Sequence, residues 1–376
     1  MPLGGAGTQR EIELAQPSPL PPLPHRATEL RTHALIVPRG SDSFRIPCRE
    51  LPVSPAPPTI GVVTENIQYG LLLPTSGVQL LDPNAARGLV ELAVEVERLG
   101  FDSVWAGDSL SRGRIEPLAL LSAVAAVTER VTLGTAALMP AFRHPVPAAQ
   151  ALSSLDLLSA GRLVLGVGGG YPGFSEHEMD LVGVDPRTRF RWLDDVVELW
   201  QRLWSAEPPT SFHGRVLHYD WLPQIPPPFR PGGPAVWLAG ASKPALARTG
   251  RLYHGWLPYP PDVADYRTGL DQIRAAATEA GRDPDAITPS LFATVFIDDD
   301  RARARQVMAE YCEANYRLPV ETVADIQVLI TGSADEVAAR LAAYTEAGAR
   351  HIALRVGTLH QQMWVDQLNQ LARLLR

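Results

Sequence analysis

The chain has 376 residues, 45% hydrophobic and 20% charged, with a formal net charge of -7. That length suits one large domain or two small ones, and the negative balance speaks against nucleic acid or an anionic membrane as partner, because both recruit Lys/Arg patches. Two cysteines, Cys48 and Cys312, exclude a disulfide scaffold and a multi-cysteine zinc site; with no apolar run near the roughly 18 residues of a membrane span and no apolar signal-peptide core, a cytoplasmic protein is expected.

Residues 1–65 hold 12 of the 35 prolines, among them Pro17, Pro19, Pro21, Pro22 and Pro24. Proline fixes φ and removes a donor, so neither a helix nor a sheet ladder is expected there. A disordered or polyproline-like extension, a start codon placed too far upstream and a partner-binding arm all fit, and a short strand at Leu35–Val37 is possible.

From residue 66 onward, strands and helices alternate. Gln68–Leu73 is the first expected strand, and Asp82-Pro83 marks the start of a helix that Gly100 closes. A strand at Ser103–Ala106 precedes a helix at Pro117–Glu129. Val131–Leu138 precedes a helix at Pro147–Ala160, and Arg162–Val167 is the fourth strand. After a glycine-rich turn comes an amphipathic helix, Arg189–Trp204, whose tryptophans read as core. A hairpin is expected around Phe212–Tyr219, then a strand at Val236–Ala239 and a short helix at Lys243–Thr249. Gly255–Leu257, a helix at Asp262–Ala280 and the alternating strand Ser290–Ile297 follow; a helix at Asp335–Ala347, a strand at His351–Val356 and a last helix to Leu375 complete the series.

Eight strands, each followed by a helix, define an α/β fold: a (β/α)8 TIM barrel with insertions after strands four and seven, spanning 66–376. An open doubly wound sheet is the alternative. In a barrel the site lies at the C-terminal strand ends. Those ends carry Asp108 and Ser109 after the second strand and His144 after the third. The run Gly168-Gly169-Gly170-Tyr171-Pro172-Gly173 follows the fourth. It satisfies G-x-G-x-x-G, but a dinucleotide fingerprint must open a helix directly, and Pro172-Gly173 reads as a turn. A glycine loop approaching a planar or anionic ligand fits better; a bare tight turn is the bland alternative. Asp108 accepts from a ligand or merely caps the next segment. No nucleophile elbow, P-loop or H-E-x-x-H is present, and no metal site is expected.

Several segments in order resemble the luciferase-like monooxygenase family. They are Gly100–Leu110 with Glu116-Pro117, Glu129–Leu138 leading to His144-Pro145, Leu155–Gly170, Phe212–Gly214, Val236–Ser242 and His254–Trp256. The resemblance implies a TIM barrel that binds coenzyme F420 or reduced FMN at its C-terminal mouth. It places the cofactor beside Asp108, on a segment formed by Thr135, Ala136 and Ala137, and between Gly169, Gly170, Tyr171 and Ala239, Gly240, Ala241. It also implies a non-prolyl cis peptide at Ala136–Ala137. Three departures stand out: Ser109 replaces the histidine of several members, Tyr171 replaces the glutamate acid of the sugar-phosphate dehydrogenases, and His254 precedes Gly-Trp where relatives have aspartate. These weigh against luciferase-type oxygen chemistry and sugar-phosphate oxidation.

The expected activity is therefore hydride transfer between coenzyme F420 and a small organic substrate, with Tyr171, His144 or Ser109 relaying the proton. The alternatives are an FMNH2-dependent monooxygenase served by a flavin reductase, and a barrel that binds without catalysis. A homodimer is expected.

Overall fold

The computed structural model describes residues 67–80, 85–171, 173 and 175–375. The extension expected at 1–65, the strand at Leu35–Val37, the Asp82-Pro83 cap and Pro172 lie outside the described residues. In chain order the elements are β1 (Gln68–Leu72), α1 (Ala85–Arg98), β2 (Ser103–Ala106), α2 (Pro117–Ala125), β3 (Thr132–Leu138), α3 (Pro145–Leu158) and β4 (Leu163–Val167). Then come α4 (Ser175–Leu181), α5 (Arg189–Leu203), the hairpin β5 (Phe212–His213) and β6 (His218–Tyr219), β7 (Ala235–Leu238), α6 (Lys243–Leu252), β8 (Gly255–Trp256), α7 (Val263–Glu279) and β9 (Thr288–Ile297). The chain continues through α8 (Arg301–Tyr316), α9 (Val320–Ala324), β10 (Leu329–Gly332), α10 (Ala334–Glu346), β11 (His351–Val356) and α11 (Gln361–Leu374).

Eight strands form a closed parallel ring in the order β1, β2, β3, β4, β7, β8, β9, β11. Gln68 pairs with His351 to close it, which excludes the open doubly wound sheet. One edge of β9 carries two neighbours. Its first residues, Thr288 and Pro289, pair with β8, and Thr294–Ile297 pair with β10. Both expected insertions are present: α4 and the β5–β6 hairpin follow β4, and α8, α9 and β10 follow β9. The helix expected to end at Glu129 stops at Ala125, and α3 starts at Pro145, two residues before its expected start. Among the described residues no helix is long and apolar enough to cross a membrane.

The outer core follows the amphipathic pattern. Leu89, Ala93 and Val96 of α1 are buried, as are Leu193, Val197 and Trp200 of α5. Trp200 and Trp204 are core residues, as expected, and their indole N–H groups donate to the carbonyls of Pro145 (2.9 Å) and Ala149 (3.2 Å).

Inside the ring two tryptophans act as a plug. Trp105 and Trp237 pack at 5.5 Å between centroids, and the His351 ring meets both edge-on at 5.5 and 5.2 Å. They fit because the facing strands carry glycine. A Cβ at Gly70 or Gly134 would overlap the Trp105 indole, and one at Gly255 would overlap Trp237. Below them Trp105 Nε1 donates to Ser103 Oγ (2.7 Å), which frees the serine proton for His351 Nε2 (2.7 Å). His351 Nδ1 then carries the hydrogen that faces Gln68 Oε1 at 3.1 Å. The imidazole is therefore neutral and in one tautomer.

Two predictions follow from this plug. Gly134→Ala should lower stability by at least about 2 kcal/mol through overpacking, whereas Gly88→Ala, whose added methyl meets nothing within 4 Å on α1, should raise it by about 0.5–1 kcal/mol. Thermal melts of the two variants check the opposite signs. Burial holds His351 down to about 4, against about 6.5 in an unfolded chain. Below pH 6.5 the unfolded chain takes up a proton that the folded one refuses. Stability that is whole above pH 6.5 is thus lost towards pH 4, by up to about 3 kcal/mol. Urea denaturation across that window should show a smaller loss in His351→Gln than in the parent.

Candidate active site

Three strand ends meet above the plug, and all three carry small residues. The Ala136–Ala137 peptide at the end of β3 is cis, as expected. Thr135 turns its hydroxyl to the Gly166 carbonyl (2.9 Å) and so ties β3 to β4. A Cβ built on Gly168, just past β4, would touch Ala137 and Ala239 at 3.5 and 3.9 Å, so β3, β4 and β7 converge there. Ala136, Ala137, Ala239 and Gly240 are half-buried and Ala241 is exposed.

The loop after β4 needs its glycines. A Cβ at Gly169 would stand 2.6 Å from the Phe190 ring, and Gly170 has φ +87 with Ser175 and Met139 behind it. Tyr171 N–H donates to Ser175 Oγ (2.9 Å), which anchors the loop to α4. After β7, Gly240 adopts φ +124 and its carbonyl accepts from Trp256 Nε1 (2.8 Å). Helix α6 then starts at Lys243, and its N-cap residue Ser242 makes no side-chain cap. The first N–H groups of α6 therefore lack a side-chain acceptor from their cap.

Asp108 and Ser109 are already committed. The Asp108 carboxylate, 4% exposed, accepts from Arg143 Nη1 (2.6 Å) and Nη2 (3.3 Å) and from Met139 N–H (3.0 Å). Arg143 also pairs with Glu116. Glu116 meanwhile caps α2 through Ala119 N–H (2.7 Å). Ser109 Oγ donates to Glu178 Oε1 (2.6 Å), which also receives Ser111 N–H (2.7 Å) and Ser111 Oγ (2.8 Å). Burial pushes the Glu178 carboxyl up, but these donors outweigh it and hold it below the usual carboxylate range. Ser109 thus lends its proton to a carboxylate that stays ionised.

His144 sits at the rim. It is the exposed N-cap residue of α3, and its ring packs 5.9 Å from that of Tyr219. No hydrogen bond joins it to Asp108, Ser109 or Tyr171. Tyr171 instead belongs to a group of tyrosines. Burial raises its hydroxyl above the ordinary value, with Tyr316 raising it further and Arg112 lowering it. Burial likewise raises Tyr259, with Tyr316 and Tyr171 adding and Arg355 opposing. Both hydroxyls hold their protons through neutral pH.

The residues that sequence reasoning missed are the ones that fix this arrangement. Glu178 lies on α4, 69 positions from Ser109. Arg355 lies inside the top of β11, and Arg112 and Arg114 lie in the loop after β2. The Ser-Arg-Gly-Arg run at 111–114 was a visible signal, since it follows a strand end. A cleft of about 400 Å3 opens beside these loops, lined among others by Ser76, Ser111, Arg112, Asn315 and Arg317. A larger cleft of about 880 Å3 lies against α8 and α9 and carries none of these groups.

Comparison with known proteins agrees with the fold. The family model for luciferase-like monooxygenases matches residues 67–351. The chain is 31% identical over 306 residues to an F420-dependent glucose-6-phosphate dehydrogenase of Nakamurella multipartita, covering 74% of this chain and 88% of the relative. Among solved structures it is similar to an F420-dependent secondary alcohol dehydrogenase bound to an F420-acetone adduct (TM-score 0.68, 18% identity, 83% of this chain and 99% of that one). It is also similar to the FMN-bound oxygenating constituent of 3,6-diketocamphane monooxygenase from Pseudomonas putida (TM-score 0.65, 20% identity, 82% and 96%). The chain belongs to the luciferase-like monooxygenase family and is an enzyme of that family.

The Asp108–Arg143 pair yields a direct test. Arg143→Met would leave the buried carboxylate with one backbone donor and should cost about 3 kcal/mol. Glu116→Gln removes the exposed partner and should cost about 1 kcal/mol or less. Urea denaturation of both variants separates the two.

Proposed function

We propose that the protein is an oxidoreductase that moves hydride between coenzyme F420 and a small organic substrate. The observation that carries this reading is the small-residue floor of Ala136, Ala137, Gly168 and Ala239, flanked by an α6 N-terminus without a side-chain cap. A flat ring system fits such a floor, because larger side chains would occupy its place. The Gly169 and Gly170 backbone and the first N–H groups of α6 suit an anionic tail. When bound, the deazaflavin supplies a hydride-carrying carbon, C5.

The chain's own residues are left with modest tasks. Asp108 positions Met139 and Arg143 rather than exchanging protons. Ser109 shares its proton with an ionised Glu178. Tyr171, held protonated by burial, is the best-placed proton source beside the mouth. His144 at the rim is a poorer one. This division suits hydride transfer, which asks mainly for two carbons held close and water excluded. Similar proteins include an F420-dependent glucose-6-phosphate dehydrogenase and an F420-dependent secondary alcohol dehydrogenase, both acting on small organic molecules.

FMNH2-dependent oxygenation, with a flavin reductase as partner, is the second reading, favoured by the likeness to the FMN-bound monooxygenase. We place the enzyme in the cytoplasm as a homodimer, which sedimentation velocity of the purified chain checks for the dimer. Fluorescence titration with F420 and with FMN in parallel tests the cofactor. F420 binding at micromolar Kd or tighter, with FMN ignored, is expected; the reverse preference would overturn the hydride reading. Ala136→Phe should abolish cofactor binding, because its ring would fill the floor, while the melting profile stays cooperative.

A further inference from the structure

Arginine is nearly the only basic residue here, since Lys243 is the single lysine. Most buried arginines of the fold are visibly satisfied. Arg143 pairs with Asp108 and Arg248 with Asp194. Arg162 donates to the carbonyls of Ala125, Thr128, Val131 and Ser159, and Arg282 to those of Thr249, Gly250 and Tyr253. Two arginines at the barrel mouth break this pattern.

Arg114 lies against Gly107 at the end of β2, where a Cβ would meet its guanidinium at 3.2 Å. It donates one hydrogen bond, to Thr75 Oγ1 at 3.1 Å, out of five N–H groups. Arg355 reaches in from β11. Its partners are all neutral: Thr294 Oγ1 (2.6 and 3.0 Å) and Gln327 Oε1 (2.8 Å). The rings of Phe292, Tyr311 and Tyr316 stand 5.0, 5.4 and 5.4 Å from its guanidinium carbon. Among the described residues neither arginine has a carboxylate within ion-pair distance. Arg112 stacks 5.5 Å over the Tyr316 ring and donates to the Asn315 carbonyl at the rim. Burial lowers Arg114, and Arg355 and Arg112 lower it further as like charges. Arg114 therefore feels two further cations beside it. Taking a charge out of water without a counter-ion is costly, so such a group points to an anion supplied from outside the chain.

We propose that Arg114 and Arg355, with Arg112 at the rim, form a subsite for a small oxyanion, the carboxylate or phosphate group of the substrate. The proposal deepens the oxidoreductase reading and rests on it for the word substrate. Planar guanidinium groups suit either oxyanion, because both accept paired N–H donors. The tyrosines supply neutral walls and hydroxyl donors without offering a competing negative charge. The subsite lies with β1, β2, β9 and β11, whereas the small-residue floor lies with β3, β4 and β7. Arg114 borders that floor, since a Cβ at Gly107 would meet both its guanidinium (3.2 Å) and the Ala136 carbonyl (3.6 Å), so an anionic substrate would be held beside the floor.

The test uses isothermal titration calorimetry of the full chain with inorganic phosphate and with malonate, alone and under saturating F420. Wild type should bind at least one anion near or below about 1 mM, equally well or better with F420 present. Arg114→Gln should weaken that binding by about tenfold or more, leave F420 binding within about twofold, and keep a cooperative melt. Because Arg355 is the more deeply buried, Arg355→Gln is the second variant, interpreted where it melts cooperatively. Absence of anion binding in wild type overturns the proposal, as does undiminished binding in Arg114→Gln. Binding abolished by F420 also overturns it, since the cations would then serve the cofactor's acidic tail. F420 binding without anion binding sinks the subsite and leaves the oxidoreductase reading intact. Arg114-dependent anion binding without F420 or FMN binding does the opposite.

Discussion

The fit of Trp105 onto Gly70 and Gly134 sets the height of everything above it. An eight-stranded barrel has an interior just wide enough for side chains to fill. Here two indoles fill its middle, and glycines on neighbouring strands make room for them. Trp105 is anchored from below through Ser103, His351 and Gln68, so the plug is held in the plane as well as packed. Leu72, Phe292 and Ala353 pack with the two indoles in one cluster, and Ala136 rests against it. A larger residue at the glycines would tilt the indole and disturb the cis-linked Ala136–Ala137 segment before it touched any catalytic group.

That floor was legible in the chain because it is written locally. Alternation of strand and helix, the glycine turn at 168–170 and the small residues at 135–137 and 239–241 all lie in short segments. The family resemblance added the cis peptide. The partners of the polar groups were not legible in the same way. Asp108 finds Arg143 at 35 positions, Ser109 finds Glu178 at 69, and Arg355 finds Thr294 at 61. Such pairs are settled by ring closure, which brings together residues whose local sequence carries no mark of each other. The insertion after β9 shows a different limit. In α8 the buried positions Ala304, Val307, Met308, Tyr311, Cys312 and Asn315 do repeat at helical spacing. Arginines at 301, 303 and 305 dilute the apolar signal, and β10 is four residues long.

The polar groups of the mouth fall into two halves of opposite character. On the β2–β3 side the acids are held by partners inside the protein: Asp108 and Glu116 by Arg143, Glu178 by serines and backbone donors. On the β1–β9–β11 side the cations have hydroxyls, an amide and aromatic faces around them. An acid placed among them would have cancelled their field at little structural cost. The chain puts Tyr311 and Tyr316 of α8 there instead.

This asymmetry bears on the chemistry. A hydride leaving or reaching a carbon changes charge at the reacting centre, and fixed dipoles or cations nearby decide which direction is favoured. The carboxylates beside the floor share a single guanidinium, Arg143, so that side keeps a negative field. The Arg114 and Arg355 guanidinium groups contribute a positive one, which on the proposed reading favours an anionic substrate and any negative charge that develops on its oxygen. The protonated tyrosines can donate a hydrogen bond into the same region without altering its sign. The missing histidine at Ser109 is then no defect. On the proposed reading the proton comes from Tyr171, whose hydroxyl burial keeps protonated, since Glu178 keeps Ser109 occupied at the β2 end.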